Sequence, residues 1–131
     1  MSLRTPLAHV RGLGSAKEGV AHWWAQRVTA VALVPLTLWF VASLLCMARA
    51  DYDSLRAWIV QPSTTILLVA LLFSLFYHAI LGLQVVIEDY VHQEGAKITS
   101  LLVMKFLLVL LGGSAILSVL RIAFGGLSSH V

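Results

Sequence analysis

Three long apolar runs separated by short polar stretches organise this chain. The first, residues 28–48, lies between Arg27 and Arg49 and contains no charge over 21 positions. A second covers about 63–87, and a third about 100–123 is interrupted only by Lys105 near its start and Arg121 near its end. About 20 apolar residues, each rising roughly 1.5 Å in a helix, cross a hydrocarbon core of roughly 30 Å. Each run therefore predicts a transmembrane helix, and the chain reads as all-α. The second, at roughly 37 Å of helical rise, must tilt or project beyond the core. Pro35 frees the carbonyl of Val31 inside the first run and predicts a kink.

The polar stretches fit between these helices. Residues 51–61 carry Asp51, Asp53, Arg56 and Trp58, and Pro62 then occupies a first-turn position of the second helix. This predicts a short outer loop with a helical turn at the interface. Residues 88–99, with Glu88, Asp89, His92, Glu94, Gly95 and Lys97, form the other link. Gly112 and Gly113 in the third run suit close helix contact. Residues 1–26 show no amphipathic period before Val20 and read as an extended arm over a soluble partner, or as a mobile tail. Trp23 and Trp24 mark the first interface. The organisation is thus an arm, 1–26, and a three-helix membrane anchor domain, 27–131.

Composition agrees and narrows the class. Of 131 residues, 60% are hydrophobic and 11% charged, against roughly a quarter charged in soluble domains. The mean hydropathy of +0.92 fits an integral membrane protein. Cys46 stands alone, so no disulfide framework exists, and its place in an apolar run suits packing. A sequence pI near 9.4 raises nucleic acid as a partner, but the basic residues stand at helix ends, which fits topology instead. Ala48-Arg49-Ala50 resembles a signal-peptidase site, yet its run exceeds a signal core and two spans follow. Arg4, Arg11, Lys17, Arg27, Lys97 and Lys105 fall on one side of the membrane, and Arg49, Arg56 and Arg121 on the other. The positive-inside rule puts the N-terminus in the cytoplasm, or the mitochondrial matrix, and the C-terminus outside.

Candidate chemistry concentrates in Ser-Leu-Phe-Tyr-His-Ala-Ile-Leu-Gly-Leu-Gln-Val-Val-Ile-Glu-Asp-Tyr, residues 74–90. On a helix, Gly82 lies roughly 40° and Asp89 roughly 20° around from His78, so one face carries all three. Asp89 is about 16 Å along the axis from His78, which puts the histidine near mid-membrane and Asp89-Tyr90 near the inner interface. An ionisable residue at that depth faces a bundle interior and has a partner. Neutral imidazole ligates haem iron, and a glycine one turn away lets a flat macrocycle approach the backbone. The alternative is a histidine bonded across helices to a Ser or a backbone carbonyl. Among other motifs, no dinucleotide fingerprint, P-loop or iron–sulfur cysteine cluster is present.

His-Ala-Ile-Leu-Gly-Leu-Gln-Val-Val-Ile-Glu-Asp-Tyr-Val, residues 78–91, resembles the second transmembrane helix of the hydrophobic membrane anchor subunits of succinate dehydrogenase (complex II), of the type sharing one haem b. Gly19-Val20 followed by Arg27-Val28-Thr29-Ala30 is similar to the start of that family's first helix. The resemblance implies half of a heterodimeric helix bundle in a bacterial inner or mitochondrial inner membrane. It implies His78 as an axial ligand of haem b, Gly82 and Ser74 as haem packing, Arg27 as a propionate contact, and Asp89 and Tyr90 as part of a ubiquinone site. The family's histidine six residues before the arginine is replaced by Ala21, and His22 is one residue off register. With a single mid-membrane histidine, a second axial ligand must come from another chain, which the resemblance identifies as a sister cytochrome b subunit. Flavoprotein and iron–sulfur subunits would oxidise succinate, which this chain alone would not do. Direction stays open between succinate oxidation and a fumarate reductase. The reading from another class is a structural or transport membrane protein without haem.

Overall fold

The computed structural model describes residues 17–125, with side chains from residue 19 onward. It contains four helices, α1 (Lys17–Cys46), α2 (Tyr52–Val60), α3 (Pro62–Tyr90) and α4 (Glu94–Gly125), and no strand among the described residues. The three long helices have 30, 29 and 32 residues, and each is long and apolar enough to cross a membrane. The chain is a multi-pass, all-α membrane protein. Pro35 lies inside α1, which continues through it.

The helices outrun the apolar runs that mark them. At about 1.5 Å per residue they measure roughly 43–48 Å, well beyond a hydrocarbon core. α1 begins at Lys17, so residues 17–26 of the expected extended arm are helical. Residues 1–16 and the tail from 126 lie outside the described residues. The expected link 88–99 contracts to 91–93, because α3 runs on to Tyr90 and α4 starts at Glu94. Charge ends burial in lipid, but Glu, Lys and Gln propagate a helix well once it reaches the headgroups.

α3 is the centre of the layer. α1 and α4 each pack along it without approaching one another, while α2 folds against α3 and α4. This open arrangement buries few side chains, chiefly Leu68, Leu71, Leu81 and Ala123. Val31, Leu38 and Leu45 on α1 and Leu102, Phe106 and Leu110 on α4 are exposed. Such faces suit lipid or further apolar helices, where helix contact rests on packing and polar bonds rather than escape from water.

Between α1 and α3, Asp51 caps α2 by accepting from the Ser54 N–H at 3.3 Å, and this hydrogen bonding holds its carboxyl below the ordinary range. Trp58 of α2 stacks on Trp39 of α1, with centroids 5.8 Å apart and planes at 24°. Thr65 Oγ1 donates to the Ile59 carbonyl at 2.7 Å, satisfying a terminal acceptor of α2, and Pro62 starts α3 where a missing N–H costs nothing. The predicted outer loop is therefore a pinned helical connector.

The paired glycines of α4 are not equivalent. A Cβ on Gly112 would stand 2.9 Å from Phe76 Cγ, whereas nothing lies within 4 Å of one on Gly113. Phe76 meets it at the ring base, which cannot swing aside without moving α3. Gly112→Ala is expected to lower stability by about 1–3 kcal/mol through overpacking, and Gly113→Ala to raise it by up to about 1 kcal/mol through helix propensity. Thermal unfolding in detergent compares the two, and equal behaviour of the variants would show that α3 and α4 do not pack this tightly.

Candidate functional site

The seam between α1 and α3 is apolar except for one polar line. Thr29 on α1 is buried, and its Oγ1 lies 3.0 Å from Nδ1 of half-buried His78, just past the middle of α3. The same oxygen lies 2.8 Å from the Ala25 carbonyl and 3.1 Å from that of Gln26. His78 Nε2 makes no hydrogen bond among the described residues. The cross-helix polar bond expected under the plainer alternative thus exists, with a threonine as partner.

One turn toward the C-terminal end of α3, Gly82 faces Gln26. A Cβ there would meet Gln26 Nε2 at 3.6 Å, an ordinary contact, so packing within this chain does not demand glycine as it does at Gly112. The pairs Thr29–His78 and Gln26–Gly82 fix an antiparallel register. His22 falls a further turn along the same α1 face. Gln26 Oε1 and His22 Nε2 are both buried without a hydrogen-bond partner among the described residues. Buried polar atoms are normally satisfied, so this seam has hydrogen-bonding capacity that the described residues do not use.

The other expected residues are dispersed. Ser74, one turn before His78, is half-buried, and its hydroxyl makes no hydrogen bond among the described residues. Asp89 and Tyr90 end α3 and are exposed, Tyr90 at 79%. Their neighbour Glu88 is also exposed; it accepts from Gln84 Nε2 at 2.8 Å, and its carbonyl accepts from Lys97 Nζ at 3.0 Å. Arg27 is exposed, with its guanidinium 5.1 Å from the Trp23 ring centroid. It lies about 160° around α1 from Thr29, away from the α3 seam. No hydrogen bond or ion pair joins it to Asp89 or Tyr90 among the described residues.

The structure therefore joins His78 and Gly82 to Thr29 and Gln26, while Arg27, Asp89 and Tyr90 sit apart on surfaces. Thr29, Gln26 and His22 complete the seam, and sequence reasoning missed this arrangement. A depth count would have found Thr29: it stands twelve residues from the start of α1, as His78 does from the end of α3. Among the described residues, no three His, Cys, Asp or Glu side chains cluster as a metal site. Among the described residues, His78 therefore belongs to no such cluster.

The model for the succinate dehydrogenase/fumarate reductase transmembrane subunit family matches residues 1–112. A succinate dehydrogenase hydrophobic membrane anchor subunit of Rickettsia bellii (strain RML369-C) is 37% identical over 108 residues, covering 82% of this chain and 86% of its own length. One from Paracoccus denitrificans is 34% identical over 86 residues, with 66% and 67% covered. A succinate dehydrogenase membrane anchor subunit of Reclinomonas americana is 29% identical over 98 residues, with 71% and 80% covered. No solved structure matches the chain. With the family model spanning most of its length and three membrane-crossing helices, this chain belongs to the succinate dehydrogenase/fumarate reductase transmembrane subunit family, on the side of its succinate dehydrogenase membrane anchors.

Proposed function

We propose that this anchor subunit provides one axial ligand, His78, to a haem b shared with a sister cytochrome b subunit, and provides Tyr90 and Asp89 to a ubiquinone site at the inner membrane face. The observation that carries the ligand reading is the environment of His78: one ring nitrogen is held by Thr29, and the other has no partner among the described residues. Gly82, where chain packing does not require a glycine, keeps the surface beside it low. Those features fit a flat macrocycle docked against α3, with Ser74 and Gly82 on either side of the ligand. A haem bound there supplies a one-electron carrier in the low-dielectric interior.

The chain's remaining work is positional. Tyr90 and Asp89 project from the last turn of α3, where the phenol can donate to a quinone carbonyl and the carboxylate can orient a water or an arginine that delivers a proton. One helix end cannot enclose a quinone ring, so the rest of the pocket comes from partner chains. Arg27 enters on the resemblance of its sequence patch. Because it faces away from α3, its guanidinium pairs with a propionate only if that group reaches around α1. Iron–sulfur and flavoprotein subunits bind at the inner side and pass electrons from succinate. In this reading the chain lies in a bacterial inner membrane, or its mitochondrial equivalent, with its N-terminus inside.

Purification from its own membranes in mild detergent tests this reading. The chain is expected to bring with it flavoprotein, iron–sulfur and second anchor subunits, and succinate-driven ubiquinone reduction. Recovery of the chain alone from active membranes would contradict it.

A further inference from the structure

We infer that Thr29 is a positioning residue that fixes the tautomer of His78, keeping the proton on Nδ1 and the lone pair on Nε2. This rests on the proposed role of His78 as a haem ligand. A hydroxyl has one hydrogen and two lone pairs. Thr29 Oγ1 is near three groups: the Ala25 carbonyl at 2.8 Å, the Gln26 carbonyl at 3.1 Å and His78 Nδ1 at 3.0 Å. Carbonyl oxygens only accept, so either of them takes the hydroxyl hydrogen. The donation back to Ala25, four residues earlier, is the shortest contact and a common habit of helical threonines. Thr29 then has only acceptor capacity to offer Nδ1, and a neutral imidazole that donates from Nδ1 carries its lone pair on Nε2.

The opposite assignment wastes this geometry. If Thr29 donated to Nδ1, neither carbonyl would receive its hydrogen, and Nε2 would carry a proton while lacking an acceptor among the described residues. Thr29 is 8% exposed, so water does not readily substitute at the hydroxyl. A hydrogen bond to the outer nitrogen of a ligating histidine also orients the ring and raises its basicity. Greater ligand basicity favours the oxidised iron, so loss of the hydroxyl should move the midpoint potential upward. His22 and Gln26 have no hydrogen bond to this imidazole.

Three variants of the intact complex, Thr29→Val, Thr29→Ser and His78→Ala, are measured for haem retention and midpoint potential. Thr29→Val should weaken haem retention by about 10–100-fold and raise the potential, with Thr29→Ser close to wild type. Unchanged retention and potential in Thr29→Val overturns the role, as does equal damage in Thr29→Ser, which would assign the effect to packing. Full haem retention in His78→Ala overturns the ligand reading itself, separately from the tautomer. Histidine nitrogen shifts of the wild-type full chain in detergent, assigned with His78→Ala, read the tautomer without haem and without a Thr29 variant. Nδ1–H at His78 supports the inference, and Nε2–H overturns it.

Discussion

His78→Ala is expected to strip the b-type haem from the complex while leaving the subunit folded in the membrane. Insertion of α3 depends on its long apolar run, which the substitution leaves intact, and alanine is the strongest helix former. Among the described residues, the one side-chain hydrogen bond lost is that to Thr29. A net hydrogen bond contributes roughly 1 kcal/mol, and Thr29 keeps the Ala25 carbonyl as an acceptor. The effect on iron is far larger, because alanine offers no ligand atom and among the described residues no three His, Cys, Asp or Glu side chains group as a metal site. Haem per flavin, measured as the pyridine derivative, should fall to near zero, or any remainder should lose its six-coordinate low-spin spectrum. An unchanged low-spin spectrum with normal subunit content would remove His78 from the iron.

Tyr90→Phe should separate the last electron-transfer step from everything before it. Tyr90 ends α3, is 79% exposed, and its hydroxyl has no partner among the described residues. Removing that oxygen should alter stability by no more than about 0.5 kcal/mol, as for most surface substitutions. If the phenol donates to the quinone carbonyl as it gains negative charge, the lost donor slows reduction by on the order of 10²-fold. Succinate oxidation by an artificial acceptor should be unaffected. Equal loss of both activities would mean damaged assembly, and retention of both would mean that Tyr90 belongs to the aromatic belt.

Three apolar runs announced three membrane helices because the bilayer imposes a length that composition reveals directly. Helix ends were less legible. Lys17 to Gln26 and Glu88 to Tyr90 are polar, and polarity marks departure from lipid rather than the end of hydrogen bonding. His78 and Gly82 stood out as a polar residue and a glycine at one-turn spacing in an apolar helix. Thr29 did not, because a threonine two residues past Arg27 resembles ordinary interface composition, and its importance appears only when α1 and α3 are laid antiparallel. The distinction between Gly112 and Gly113 was equally hidden: it depends on which one meets Phe76. Arg27 shows the converse limit, since its place in a sequence patch says nothing of its turn away from the seam.

The most direct measurement is a reduced-minus-oxidised visible spectrum of the intact purified complex, using dithionite and succinate in parallel, with subunit stoichiometry on the same sample. A low-spin b-type signal at one haem per copy of this chain is expected with dithionite, and its appearance with succinate would place the haem in electronic contact with the soluble subunits. A complex that contains this chain and its succinate-oxidising partners yet shows no haem would contradict the assignment of His78 and return it to a packed polar contact with Thr29.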